Sequence, residues 1–184
     1  AEYLQGMLAT EPSLKLDRLS RNFGKEAAMT AGIVHAEGEA VILLDADLQD
    51  PPELIPEMVQ AWQQGADVVC MRRRSRAGES WLKRASAYAF YRLLNRLSRA
   101  AIPADTGDFR LMSRRAVRAL LKLPERCRYM KGLYAWIGMP TRIIDYDRAP
   151  RAAGTTKWNY FALFRLAMEG ITSFSTAPLR WATG

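Results

Sequence analysis

The run Val41-Ile42-Leu43-Leu44 carries no charge and ends in Asp45-Ala46-Asp47-Leu48-Gln49-Asp50-Pro51-Pro52. An unbroken apolar run of this length reads as a central strand covered on both faces, so carboxylates emerge where a buried strand stops. Asp45 and Asp47 are two residues apart. In extended backbone they share a face and can reach one cation; with nothing cationic between them they repel. Hard oxygen donors of this kind suit Mg²⁺ or Mn²⁺, with phosphate oxygens and water completing the shell. The bland alternative is a strand-end turn that uses Asp only for caps. A calcium EF-hand loop requires Gly at its sixth position and Glu at its twelfth. Counted from Asp45 those places hold Asp50 and Pro56, which excludes it.

A second chemistry follows from charge. The chain has 184 residues, 27 Lys and Arg against 19 Asp and Glu, and a net charge of +8. Between Arg72 and Arg99 lie nine basic residues and one acid, Glu79, so the whole excess sits in that segment. A localised basic stretch points to an anionic partner: a phosphorylated substrate, an acidic lipid surface or nucleic acid. A phosphatase of the haloacid-dehalogenase type also sets Asp-x-Asp after an apolar strand. It usually continues with Gly-Thr or Thr-Val where this chain has Leu48-Gln49, and its late acidic pair would have to come from Asp145 and Asp147. With a single His, His35, no histidine-based triad is available. His35 is expected at the surface or beside a helix C-terminus. Cys70 sits in the apolar run Val68-Val69-Cys70-Met71 and Cys127 lies far from it, so neither a disulfide framework nor a zinc site is expected.

The elements that must position these residues alternate along the chain. Leu14 to Leu19 alternates apolar and polar residues as a half-buried strand does. Lys25 to Ala36 has helical spacing, and Ala40 to Leu44 reads as a strand. Asp50 is placed to N-cap a helix that runs to Gln64, with prolines in its first turn and Gly65 closing it. Asp67 to Met71 reads as a buried strand, residues 79–99 as a long helix with a basic stripe, Ser113 to Leu123 as a helix, and Thr141 to Tyr146 as a strand. Strand–helix alternation with buried central strands predicts an α/β layer fold with a mostly parallel sheet, whose ligands sit at the carboxyl ends of the strands. There is no stretch of about 18 uncharged apolar residues to span a bilayer, and the first residues lack the pattern of a signal peptide.

Three blocks taken in order, Leu19-Ser20-Arg21-Asn22-Phe23-Gly24-Lys25-Glu26-Ala27-Ala28, Asp45 to Pro52, and Gly107-Asp108-Phe109-Arg110-Leu111, resemble the inverting glycosyltransferase family 2. The likeness is nearest to its polyprenyl-phosphate glycosyltransferases: bactoprenol glucosyltransferases, aminoarabinose transferases and dolichol-phosphate mannose synthases. It runs from about Leu14 to the C-terminus. The resemblance implies a GT-A (Rossmann-like) fold and transfer of a hexose from a nucleotide-sugar, UDP-glucose in the first place, to undecaprenyl phosphate at the cytoplasmic face of the bacterial inner membrane.

Carried over by position, the resemblance puts Arg21, Asn22, Gly24, Lys25 and Asp45 on the nucleotide side. Asp45, Asp47 and Gln49 fall at the Mg²⁺ or Mn²⁺ that bridges the diphosphate, and Asp108 at the place of the catalytic base. Asp108 can equally hold a sugar hydroxyl, position the acceptor, or pair with Arg110. Arg72, Arg74, Arg110, Arg151 and Lys157 are the candidates for the acceptor phosphate, since arginine suits bidentate phosphate contacts. Arg151-Ala152-Ala153-Gly154-Thr155-Thr156-Lys157 resembles the family's acceptor loop, with Thr156 in place of its Ser. Residues 1–150 are expected to form the catalytic domain, and residues 151–184 the acceptor loop and an amphipathic juxtamembrane helix flanked by Trp158 and Trp181. The family's opening strand and helix, typically Val-Ile-Pro-x-Tyr-Asn-Glu, and its transmembrane helices find no match here. The expectation is therefore a piece of a longer protein, binding donor poorly by itself and able to self-associate. A membrane surface is an expected partner and nucleic acid is not.

Overall fold

β-branched and aliphatic residues make Ala40–Leu43 a strand, β1, as its composition predicts. In the computed structural model the described residues are 2–74, 106–125 and 130–147. They fall into two units divided between Glu37 and Gly38. The first holds helix α1 (Glu2–Met7) and helix α2 (Lys25–His35). The second holds β1, a 3₁₀ turn at Pro52–Leu54, α3 (Ile55–Gln63), β2 (Val68–Arg73), β3 (Thr106–Ser113), α4 (Arg114–Leu121), α5 (Met130–Trp136) and β4 (Thr141–Tyr146).

Within the first unit, Leu14–Leu19 is not a strand. The expected alternation is present, with Leu14 and Leu16 half-buried and Lys15 and Asp17 exposed. Its polar side chains go elsewhere, Lys15 to Glu37 at 2.7 Å and Asp17 to Nδ1 of His35 at 2.8 Å. Alternation selects a face but supplies no ladder partner, and a strand needs both. His35 is the last residue of α2, where it was expected.

The sheet of the second unit has the order β1-β3-β2-β4, so among the described residues β1 is an edge strand with only Val41 buried, which corrects the expectation of a central strand covered on both faces. The sheet is mixed, which corrects the expectation of a mostly parallel sheet. β3 is antiparallel to β1 (Leu43 opposite Arg110) and to β2 (Cys70 opposite Arg110), while β2 and β4 are parallel (Val68 opposite Thr141, Arg73 opposite Tyr146). Asp108 and Arg110 interrupt the apolar run that would otherwise mark β3 as a strand.

One face of the sheet, with Val69, Met71, Phe109, Leu111, Ile144 and Tyr146, packs on Met58 and Ala61 of α3. By strand alternation Val68, Cys70, Arg110 and Met112 lie on the other face, and α4 packs against β3 and β1 through buried Ala116, Val117 and Leu120. α3 ends as expected at Gly65, whose φ of 104° is open to glycine without strain. The long helix predicted over residues 79–99 and everything from 148 onward lie outside the described residues.

At the edge away from the candidate site, Ser113 N-caps α4. Its Oγ accepts from the Ala116 N–H at 3.1 Å and donates to Asp67 Oδ1 at 2.7 Å. Arg115 also holds Asp67, through Nε at 3.1 Å and through Nη2, and this bond keeps the Asp67 carboxyl below its ordinary range. Ser113→Ala removes the cap and one partner of a nearly buried carboxylate, so it should lower stability by about 1–2 kcal/mol. Urea unfolding measures it; no change would mean the cap is redundant with Arg115.

Candidate active site

Strand direction gathers the chemistry. β1, β2 and β4 end at the edge where β3 begins, so Asp45–Asp50, Arg72–Arg74, Asp145–Tyr146 and Thr106–Asp108 belong to one edge of the sheet. That is the carboxyl edge at which open α/β sheets bind their ligands.

The β3 segment at this edge is bulged. Between the pairs Cys70–Arg110 and Arg72–Thr106, β2 contributes Met71 alone while β3 contributes Gly107, Asp108 and Phe109. A bulge re-aims side chains and ends regular pairing, and here it carries Asp108. Arg110 holds it: Nη2 donates to the Gly107 carbonyl at 2.7 Å. The guanidinium lies 3.6 Å from the centroid of the Tyr134 ring of α5. Arg110 is 3% exposed, and its Nε is buried without a hydrogen-bond partner. A carbonyl and an aromatic face meet its charge, an environment that still favours a nearby anion. Across the ladder, burial pushes the Cys70 thiol up, and Arg110 opposes that shift.

The acidic loop leaves β1 at Leu43, so Asp45 and Asp47 follow the strand rather than alternating along it. Both are half-buried, and Asp47 lies in a turn whose Oδ1 accepts from the Gln49 N–H at 3.2 Å. Leu48 has φ 57° and is 68% exposed. A left-handed non-glycine residue costs about 1–2 kcal/mol, and such strain persists where the surroundings over-determine it. The turn then sends Asp50 inward. Asp50 is not the helix N-cap expected of it: Pro51 holds that position before the Pro52 turn. Asp50 accepts instead from the Tyr146 hydroxyl at 2.5 Å, both residues being buried. The Tyr146 ring meets Phe109 edge-on, with centroids 5.9 Å apart.

The basic side is tied to β4. Arg72 grips Asp145 with both prongs, Nε to Oδ1 at 2.6 Å and Nη2 to Oδ2 at 3.0 Å, and holds that carboxyl below its usual range. Arg74 adds to the same effect, and its N–H donates to the Tyr146 carbonyl at 3.0 Å. Gly107 passes close to Arg73, whose Nη2 would lie 3.3 Å from an added Cβ.

In the first unit, Asn22 Oδ1 accepts from the Gly24 N–H at 2.9 Å, Gly24 (φ 91°) precedes α2, and Lys25 is the first residue of that helix. Arg21 stacks over the Phe23 ring at 4.2 Å. Arg151 and Lys157 lie outside the described residues.

No cluster of three or more His, Cys, Asp or Glu suited to a metal occurs among the described residues. Asp45, Asp47 and Gln49 are oxygen donors of the chemical type that a Mg²⁺-type ion takes when phosphates and water supply the rest. Tyr146 and Tyr134 are members of this edge that sequence reasoning missed. Tyr146 was accessible as the last inward residue of β4; the place of Tyr134 over Arg110 depends on tertiary packing.

Residues 1–121 match the family model described as glycosyl transferase family 2. An uncharacterised glycosyltransferase of Synechocystis is 54% identical over 91% of the chain and 52% of its own length. The bactoprenol glucosyl transferase of Shigella phage SfV is 48% identical over 96% of the chain and 58% of its own length. A prophage bactoprenol glucosyl transferase homologue of Escherichia coli gives the same figures. The chain thus spans a little over half the length of these relatives. Among the described residues no helix is long and apolar enough to cross a membrane.

Burial first, and the Asp50 bond second, push the Tyr146 phenol from 10.0 up to about 12. A group whose folded-state pKa is raised contributes stability that is whole below its unfolded pKa and is lost as pH rises through the folded value. Urea unfolding at a series of pH values should show stability falling between pH 10 and about 12, and falling less in Tyr146→Phe. Equal slopes in the two proteins would contradict the assignment.

Proposed function

The chain belongs to glycosyl transferase family 2, and from that membership we propose that the protein transfers glucose from UDP-glucose to a polyprenyl phosphate, with inversion, at the cytoplasmic face of a membrane. The observation that carries this reading is the meeting at one sheet edge of the acidic loop, the bulged Asp108 and the buried Arg110. The names of the phage and Escherichia coli relatives, which state glucosyl transfer and bactoprenol, support the sugar and the lipid.

In such a transfer an acceptor phosphate oxygen attacks the anomeric carbon opposite the nucleoside diphosphate. The new C–O bond forms as the bond to the diphosphate breaks, and the electron pair leaves with the diphosphate. Asp45, Asp47 and Gln49 would hold Mg²⁺ or Mn²⁺, which when bound stabilises the charge gathering on that leaving group. Arg21, Asn22, Gly24 and Lys25 lie at the N-terminus of an 11-residue helix, where backbone N–H groups and the helix dipole favour phosphate.

A lipid phosphate has its second pKa near 6 and needs little deprotonation, so Asp108 serves better as a holder of a sugar hydroxyl or of the acceptor than as a base. Arg110 offers a buried cation beside it, Arg74 an exposed one. Arg72 can take the acceptor phosphate only by exchanging Asp145 for it. Arg151 and Lys157 complete the proposed acceptor set, and the basic stretch after Arg72 suits acidic headgroups. The phosphatase reading loses its late acidic pair, because Asp145 is committed to Arg72. Family membership favours a transferase over a basic module that only binds nucleic acid or lipid.

Replacing Asp47 with Asn should cut metal-dependent glucosyl transfer by about two orders of magnitude, the scale of losing one preorganised charge-stabilising group. The assay is transfer of labelled glucose to undecaprenyl phosphate by the full-length protein. Calorimetric titration of UDP-glucose with Mn²⁺ and then with EDTA should give binding only with the metal. Unchanged turnover in Asp47→Asn would sink the reading.

A further inference from the structure

We propose that Tyr146 is a positioning residue: its buried bond to Asp50, together with its ring contact to Phe109, fixes the acidic loop and the Asp108 bulge against one another. The proposal rests on the reading of that loop as the site of the metal and diphosphate.

The strand end that carries Tyr146 touches three parts of the edge. The hydroxyl reaches Asp50 at 2.5 Å, three residues after Asp47. The ring meets Phe109, the bulge residue next to Asp108. The neighbouring Asp145 points outward and holds Arg72. One dipeptide thus contacts the donor loop, the bulge and the basic strand end.

The polar pair stands against a cluster of Met58, Val69, Met71, Phe109, Leu111 and Ile144, with the Arg73 side chain also facing the Tyr146 hydroxyl. Burying a carboxylate and a phenol there carries a desolvation cost that an apolar core avoids. What the polar pair adds is direction. It fixes the position of the chain two residues after Leu48, whose left-handed backbone persists only if its neighbours over-determine it. The Asp47 bond to the Gln49 N–H holds the turn on one side, and the Asp50 bond holds it on the other.

The test compares wild type, Tyr146→Phe, Asp50→Ala and the double variant of the full chain. Tyr146→Phe deletes one oxygen and keeps the ring on Phe109, so it is the variant least prone to misfold. Hydrogen exchange of the 44–51 segment is the first readout and Mn²⁺ affinity in the presence of UDP the second. Tyr146→Phe should speed exchange in 44–51 selectively, by about tenfold, with α4 unchanged. It should weaken Mn²⁺ binding by about tenfold or more. The double variant should be no worse than the poorer single one.

Wild-type exchange in Tyr146→Phe, a uniform rise across the whole sheet, or additive effects would each overturn the proposal. If Asp50→Ala does not fold, the contrast between 44–51 and α4 in Tyr146→Phe decides alone. Wild type that fails to bind Mn²⁺ with UDP would remove the metal-site reading, and loop exchange would still judge the positioning role.

Discussion

Because β3 lies between β1 and β2 and runs against both, its first residues meet the last residues of its neighbours. The place of Asp108 and Arg110 beside the other groups of that edge depends on this reversal. The acidic loop follows the end of β1, the arginines close β2, Asp145 and Tyr146 close β4, and Asp108 opens β3. Had β3 run parallel to its neighbours, Asp108 and Arg110 would lie at the opposite edge, beside Asp67, and Ser113 would have left that edge. The bulge adds a second constraint, since it frees Asp108 from the ladder while Arg110 keeps the displaced backbone in place through the Gly107 carbonyl.

Charge is divided between the two ends of the sheet by how it is paired. At the far edge, Asp67, Ser113 and Arg115 satisfy one another and cap α4, an arrangement that serves the fold. At the carboxyl edge the pairing is looser. Arg110 is buried against a carbonyl and a ring, and Arg72 holds an Asp145 that remains about one-third exposed. The buried Arg110, met by a carbonyl and a ring, and the carboxylates around the left-handed Leu48 are the features on which the proposed binding of a polyanion and its counter-ion rests.

Much of this was legible in local pattern. The strands Ala40–Leu43, Val68–Arg73 and Thr141–Tyr146, helix α2, the Gly65 stop and the burial of Cys70 follow from periodicity and turn chemistry, and they appear where expected. Leu14–Leu19 has the alternation of a strand without its hydrogen-bonded partner. Asp50 shows the reverse failure. Before two prolines, Asp has every local reason to cap a helix, yet a phenol ninety-six residues away takes its carboxylate because burial makes that bond stronger than a solvated cap.

The sequence by itself determined the acidic loop, the basic stretch, the Asp108 block and membership of glycosyl transferase family 2, because these rest on residue types at short spacing, which survive without knowledge of the fold. Only the tertiary structure decided the direction of β3, the bulge that releases Asp108, the burial of Arg110 and the Asp50–Tyr146 bond. Each of these joins residues distant in sequence. Their energies come from register and from desolvation, which depend on what the folded chain places alongside, and no local window of residues contains that information.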